Sequence, residues 1–197
     1  VPLPPKLFSH NDQQSVWQSY GHEGAQTGWG GRLGDLFMSG NGKAAFTCVN
    51  LAGNAVYLAG DQSTPYTLDL AGPAPLRAAD GLMYGSAACS DLFKRTVMQP
   101  ASIHVMAQMH ASTMRRAMET QADLSAALAS VPRLNTSFTA GNRLAAQLQM
   151  VARMAAVSGK LGLTRQVFFV TLGGFDLHDN LGSQHPILLG QVADALK

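Results

Sequence analysis

The sequence predicts an α/β fold in which helices pack on a mainly parallel sheet. Residues 167–172 form a continuous apolar run, rich in β-branched and aromatic side chains, which is typical of a strand buried on both faces. Helical patterns precede and follow this run, as in the alternation of an α/β domain. Gly173 and Gly174 end the strand, and polar side chains follow at once. Because ligands of open α/β sheets bind beyond the carboxyl ends of strands, we expect a site at this junction.

Length and composition limit the classes of function. The 197 residues are enough for one domain with a sizeable core, and we expect a single α/β domain over residues 1–197. Hydrophobic residues make up 46% and charged residues 13%, which excludes a disordered tail. The formal charge is +2 and the basic residues are scattered, so we expect no nucleic-acid partner. No apolar run approaches the roughly 18–20 residues that a bilayer requires, so we expect no membrane span.

Both ends of the chain look cut. It begins at Val1 and stops at Lys197, inside an apolar-periodic helix over residues 186–197 that carries no stop signal. We therefore expect a segment of a longer domain, with any export signal upstream. Cys48 and Cys89 could form a disulfide or stay as thiols, and the oligomeric state is left open.

Short helices and turns are expected in the first hundred residues. Asn11 or Asp12 can cap a helix that runs to about residue 20, and a second helix is expected over residues 32–38, after a glycine-rich loop. Three β-like runs then predict a β-hairpin or small meander near residues 44–70, with strands over 44–49, 55–59 and 66–70. Further on, apolar spacing predicts a helix over residues 100–131, and Asn142 is expected to cap another that ends at Gly159.

Asp176 and His178 are the best candidate metal ligands. A carboxylate and an imidazole two residues apart in an extended segment point to the same side and can share a divalent cation. Zinc takes both ligand types, whereas calcium, magnesium or manganese would favour the carboxylates and Asn180. The alternative is that Asp176 or Asp179 caps the next helix and that His178 makes a surface hydrogen bond.

Two further polar segments could carry chemistry. Ser9, His10 and Asp12 could supply a nucleophile, a base or a further metal ligand, or they could simply begin a helix. Residues 26–32 place glycines before a helix, where backbone amides could face an anion with Arg32 as a clamp. The alternative for this segment is a tight turn with Trp29 packed into the core.

Several stretches of the chain resemble proteins of the DUF1501 family. They are LFSHNDQQ at 7–14, TGWGGR at 27–32, FTCVNLAGNAVYLA at 46–59 and AGNRLAAQLQMVARMAA at 140–156. The likeness is clearest in RQVFFVTLGGFDLHDN at 165–180, followed by QHPILLGQVADALK at 184–197. The matches occur in this order and cover most of the chain.

The resemblance implies a fold, a location and a set of ligands. The family groups with the alkaline phosphatase/sulfatase superfamily, which implies a partial α/β sandwich of that type with one or two metals beyond its strands. It also implies twin-arginine export, and thus a periplasmic or extracellular location. Asp176 and His178 match the family's GGFD-x-H element, a metal-ligand pair, while Ser9, His10 and Gln14 match a Ser-His-x-x-x-Gln element. The family's Gly-Gly-Asn-Asp, Ser-Asp-Phe-Gly-Arg and Asp-His-Gly segments do not occur in residues 1–197.

These observations lead to two hypotheses of different classes. The first is a metal-dependent hydrolase of ester-type bonds in a small-molecule substrate, either a phosphate or sulfate ester by superfamily analogy or a carboxyl ester or lactone. The second is a non-catalytic secreted binding or scaffold protein with the same fold. The missing family segments favour the second hypothesis, or a fragment that is inactive without the rest of its chain.

Overall fold

The computed structural model describes residues 8–21, 24–53, 56–75, 81–98, 103–132 and 134–197. The chain forms two compact units within these residues. The first consists of the described residues up to Leu70 together with those from Ser130 to Lys197, and the second of those from Ala71 to Ala129. The candidate site residues all belong to the first unit.

A small parallel sheet lies in the first unit. Its three strands, in the order β2-β1-β3, are β1 (Cys48–Asn50), β2 (Tyr66–Thr67) and β3 (Val167–Phe169). Both strand pairs are parallel, and β1 between them is completely buried. Helices pack on this sheet, so the predicted α/β class with a parallel sheet is confirmed.

Among the described residues, four α-helices belong to the first unit and two to the second. The helices of the first unit are α1 (His10–Ser19), α2 (Trp29–Phe37), α5 (Arg143–Ala156) and α6 (Leu181–Leu196), and those of the second are α3 (Ala87–Phe93) and α4 (Val105–Ala129). Short 3₁₀ helices occupy Met38–Gly40, Ala44–Phe46 and Val56–Leu58, and a π-helical turn, Lys94–Met98, follows α3. The helix predicted over residues 100–131 corresponds to α4. The predicted cap is also confirmed, because the Asn142 side chain accepts hydrogen bonds from the backbone N–H groups of Leu144 and Ala145.

The predicted hairpin or meander near residues 44–70 is wrong. Val49 pairs with Tyr66 in parallel register, so β1 and β2 are not the arms of a hairpin. The expected middle strand contains the 3₁₀ helix Val56–Leu58 instead, and residue 55 lies outside the described residues. Tyr57 and Leu58 of this run are buried without a strand partner, because they pack in the core beside Cys48.

Strand β3 also differs from its prediction. It is an edge strand of the described sheet, its three residues are half-buried, and it ends at Phe169 rather than at residue 172. Beyond it, the buried side chain of Gln147 in α5 bonds to the backbone of Thr171. A side-chain amide thus takes the place of a neighbouring strand, so the apolar run continues without extending the sheet.

Glycines allow α2 to approach the chain around residues 57–60. A Cβ atom on Gly31 would overlap the backbone of Ala59, and one on Gly30 would overlap the ring of Tyr57. The Gly28 N–H group donates to the Ala59 carbonyl over 2.8 Å. Tyr57 then packs edge-on against Trp29, with ring centroids 4.5 Å apart, and stacks on Phe169 of β3. This aromatic packing fixes α2 against the sheet.

The segment before β3 is held by a buried asparagine. The Asn41 Nδ2 atom donates to the Arg165 carbonyl over 2.8 Å, and its Oδ1 atom accepts from the Thr164 N–H group over 2.8 Å. These hydrogen bonds join residues more than a hundred positions apart, so they fix the entry to β3 relative to β1.

The two cysteines are both free thiols in this structure. Cys48 is buried in β1, and burial raises the pKa of its thiol. None of the described helices has both the length and the apolar character that crossing a membrane would require.

Candidate functional site

Residues near the start of α1 contribute the first part of the candidate site. Ser9 is the N-cap, and its Oγ atom accepts a hydrogen bond from the Asp12 N–H group over 3.3 Å. The predicted caps, Asn11 and Asp12, lie inside the helix instead. His10 is the first helical residue, and 68% of its side chain is exposed. The capping geometry therefore presents the imidazole to solvent while the hydroxyl of Ser9 stabilises the helix.

The segment between β3 and α6 contributes the second part. Gly174, two residues before Asp176, has a φ of +93°, a conformation that favours glycine. Asn180, also left-handed with a φ of 60°, is the N-cap of α6 and makes no side-chain capping bond. Neither Asp176 nor Asp179 is the N-cap, so the capping interpretation of these carboxylates is wrong.

Asp176 lies between two histidines that come from opposite ends of the chain. Its Oδ1 atom is 3.5 Å from Nε2 of His178, and its Oδ2 atom is 3.7 Å from Nε2 of His10. Both distances exceed those of ordinary hydrogen bonds. The sequence treated these residues as two separate clusters, and the structure brings them together. We call Asp176, His178 and His10 the His–Asp–His cluster.

The donor set of this cluster suits a divalent transition metal. Two imidazole nitrogens and a carboxylate oxygen are ligand types that zinc takes in catalytic sites, where a fourth position stays open. A tetrahedral ion with bonds of about 2.0–2.1 Å separates its donor atoms by about 3.3–3.4 Å, slightly less than the two separations observed. Within the described part of the chain, however, no group of three or more His, Cys, Asp or Glu side chains is already arranged to hold an ion. Small side-chain rotations would be needed, and exposure of 65–81% leaves the three side chains free to make them.

Asp12 does not reach this cluster as an exposed group. Only 2% of the residue is exposed, on the buried side of α1. A carboxylate in this position is not available to a substrate in solvent. Of the two residues predicted as acid/base or further ligand, the structure therefore favours His10.

Two clefts flank α1. The first, of about 410 Å³, contains the cluster residues His10 and Asp176 and is completed by Phe8, Gln13 and Gln14. We call it the His10 cleft. The second, of about 570 Å³, is bordered by the side chains of Asn11, Gln14, Ser15, Gln18 and Gln26. We call it the amide cleft. Gln14 lines both, so the two clefts share one residue of α1.

The glycine-rich segment over residues 26–32 is structural. Trp29 packs in the aromatic group, and its Nε1 atom donates to the Trp17 carbonyl over 3.1 Å. The guanidinium of Arg32 donates to the Ser19 carbonyl over 3.1 Å and to Thr27 Oγ1 over 3.4 Å. Arg32 thus holds α1 against α2. Trp29 packs against the core, as the alternative for this segment expected, but residues 29–32 lie in α2 and not in a tight turn.

The amide cleft was not predicted, although the sequence carries a signal for it. Asn11, Gln14, Ser15 and Gln18 follow the spacing i, i+3, i+4, i+7, which places them on one face of α1. A stripe of uncharged polar residues resembles an ordinary solvated face. This stripe of α1 forms one wall of a cleft because Gln26, Val56 and Pro65 line the same cleft.

Comparisons with protein-family models, with curated proteins and with solved structures find no match to this chain. The resemblance to the DUF1501 family therefore stays a prediction.

Proposed function

We propose that this protein is a metal-dependent hydrolase of ester-type bonds in which Asp176 and His178 hold the metal and His10 completes the site. The observation that carries the proposal is the approach of Asp176 to both His178 and His10 at the rim of an open cleft. Zinc fits this donor set best, since two of the three donors are imidazole nitrogens. A bound divalent cation would polarise the ester carbonyl and lower the pKa of a water molecule.

When Asp176 and His178 alone hold the metal, His10 does not serve as a third ligand and is the residue in this cleft best suited to handle protons. It is exposed at the end of α1, and its Nε2 atom faces Asp176 across 3.7 Å. A neutral imidazole in this position can accept a proton from water, and its conjugate acid can return that proton to a leaving alcohol. Ser9 remains a nucleophile candidate from the sequence alone, and its capping bond argues for a structural role.

Charge favours an uncharged ester over a phosphate or sulfate ester. No Lys or Arg is among the described residues that line the His10 cleft or the amide cleft. Sites that bind phosphate or sulfate commonly use Arg or Lys for charge-assisted hydrogen bonds. We therefore propose a carboxyl ester or lactone as the substrate class.

Hydrolysis of a chromogenic carboxyl ester tests the proposal. Hydrolysis of p-nitrophenyl acetate by the zinc-supplemented chain should fall at least a hundredfold in His178→Ala and His10→Ala. His110→Ala is the matched control, because it removes an exposed histidine from α4 in the other unit. Equal activity in His178→Ala and the wild type would remove the cluster from the mechanism.

A non-catalytic binding protein is the second candidate function. Two observations favour it: the described residues contain no ready-made group of three metal ligands, and the amide cleft is the larger of the two clefts. Under this alternative, ligand binding would be insensitive to chelators, and His178→Ala would leave it unchanged.

A further inference from the structure

The amide cleft is built for an uncharged ligand. Four of the residues that line it, Asn11, Gln14, Gln18 and Gln26, carry side-chain amides, and no charged residue is among the described residues that line it. A charged ligand would lose water there without gaining a counter-charge. Its volume of about 570 Å³ is within the range of small-molecule sites.

The amides match the hydrogen-bonding pattern of hydroxyl groups. Each side-chain amide has N–H donors and a carbonyl acceptor, and each hydroxyl has one O–H donor and acceptor lone pairs. An amide can therefore donate to one hydroxyl and accept from its neighbour. The side chains of Asn11, Gln14 and Gln26 make no hydrogen bond to another described residue, which leaves them available to a ligand. Gln18 is partly engaged, since its Oε1 atom accepts from the Tyr57 N–H group over 3.1 Å.

The remaining wall is apolar but shallow. Val56 and Pro65, together with Ala25 and Ala59, provide small aliphatic surfaces opposite the amides. Surfaces of this kind suit the C–H faces of a sugar ring. They offer no deep pocket for the large apolar side chains of a peptide, which is why a saccharide fits better than a peptide.

We infer that the amide cleft binds a neutral saccharide. Gln14 also lines the His10 cleft. A saccharide bound in the amide cleft would therefore lie near the His–Asp–His cluster. The ester to be cleaved would then be an acyl group carried by the saccharide. This last step rests on the proposed function, whereas saccharide binding by itself does not.

Binding measured on the chelator-treated 197-residue chain separates saccharide binding from the proposed hydrolysis. Xylotetraose and maltotetraose are screened by saturation-transfer NMR, with tetraalanine and tetragalacturonate as peptide and acidic probes, and affinities are measured by calorimetry. We expect at least one neutral tetrasaccharide to bind and the Asn11→Ala/Gln26→Ala variant to bind at least tenfold more weakly. Gln149→Ala, which removes an exposed glutamine on α5, should bind like the wild type.

Several outcomes would overturn the inference. Binding of neither neutral saccharide would do so, as would preferential binding of tetraalanine or tetragalacturonate, or unchanged affinity in the double variant. If the double variant fails to fold, Gln26→Glu tests the same wall by adding a charge, and unchanged saccharide affinity there would also contradict the inference. His178→Ala should keep saccharide binding and lose ester hydrolysis. Unchanged hydrolysis in this variant, with saccharide binding retained, counts against the proposed function alone.

Discussion

The side chain of Gln147 pairs with both backbone polar groups of Thr171. Its Nε2 atom donates to the Thr171 carbonyl over 2.8 Å, and its Oε1 atom accepts from the Thr171 N–H group over 2.9 Å. Only 1% of Gln147 is exposed. This pair fixes the chain between the end of β3 and Gly174, which is two residues before Asp176.

Loss of this amide should destabilise the protein. Gln147→Ala removes both hydrogen bonds and leaves a small cavity, so we expect the free energy of unfolding to fall by about 1–3 kcal/mol. Urea denaturation measures this change in the free energy of unfolding. The exposed Gln149→Ala, two residues away, should stay within about 0.5 kcal/mol of the wild type. Equal stability of the two variants would contradict the role given to Gln147.

Two glycine substitutions in helices should have opposite effects. Gly31→Ala in α2 places a Cβ atom against the backbone of Ala59, which cannot move aside as a flexible side chain would. We therefore expect the free energy of unfolding to fall by about 2 kcal/mol or more. Gly190→Ala in α6 meets no atom within 4 Å and should stabilise the protein by about 0.5–1 kcal/mol. Thermal unfolding of both variants is the measurement. A tolerated Gly31→Ala would show that α2 does not approach residues 57–60 closely.

The carboxylate of Asp35 should make stability depend on pH. It accepts backbone hydrogen bonds from Ser63, Asp61 and Gln62 over 2.6, 2.7 and 3.2 Å. Burial alone would raise its pKa, but these hydrogen bonds outweigh it and hold the pKa of Asp35 below the usual value of 3.8.

The direction of the effect follows from this lowered pKa. The stabilisation is fully present above the pKa of the unfolded chain and is lost as the pH falls through the lower pKa of the folded state. Asp35→Asn should therefore be less stable than the wild type at pH 7, with a gap that narrows below pH about 4. Asp61→Asn, in the segment 61–63 that donates to Asp35, is the charge control. Urea denaturation at pH 7 and below pH about 4 measures the free energy of unfolding of all three proteins. A difference in the free energy of unfolding between Asp35→Asn and the wild type that is the same at both pH values would contradict the role given to Asp35.

Ser9 should behave as a helix cap. Ser9→Ala removes the acceptor for the Asp12 N–H group, so we expect a loss of about 1 kcal/mol in stability. Hydrolysis of p-nitrophenyl acetate should persist at a temperature where the variant is folded. A folded Ser9→Ala variant without activity would instead identify Ser9 as a nucleophile.

The sequence predicted those parts of the fold that depend on local patterns. The Asn142 cap and the helix pattern over residues 100–131 were sufficient to identify α5 and α4. The pairing of β1 and β2 was predicted wrongly, because short apolar runs carry no information on whether their partner is parallel or antiparallel. The length of β3 was overestimated, since the pattern cannot reveal that Gln147 replaces a strand partner.

The candidate site was predicted in pieces. Asp176 and His178 are two residues apart, so local geometry placed them together. His10 was a candidate on separate grounds, and its approach to Asp176 depends on how α1 packs against the core through Trp17 and Tyr57. Spacing along the chain cannot predict a contact of that kind.

The metal content of the folded, purified chain tests the central claim most directly. Elemental mass spectrometry, before any exposure to chelator, should find about one equivalent of a divalent metal, with zinc the expected ion. The Asp176→Ala/His178→Ala variant should lose it, while His110→Ala should keep it. A folded wild-type chain that contains no metal and binds none from added zinc would contradict the claim.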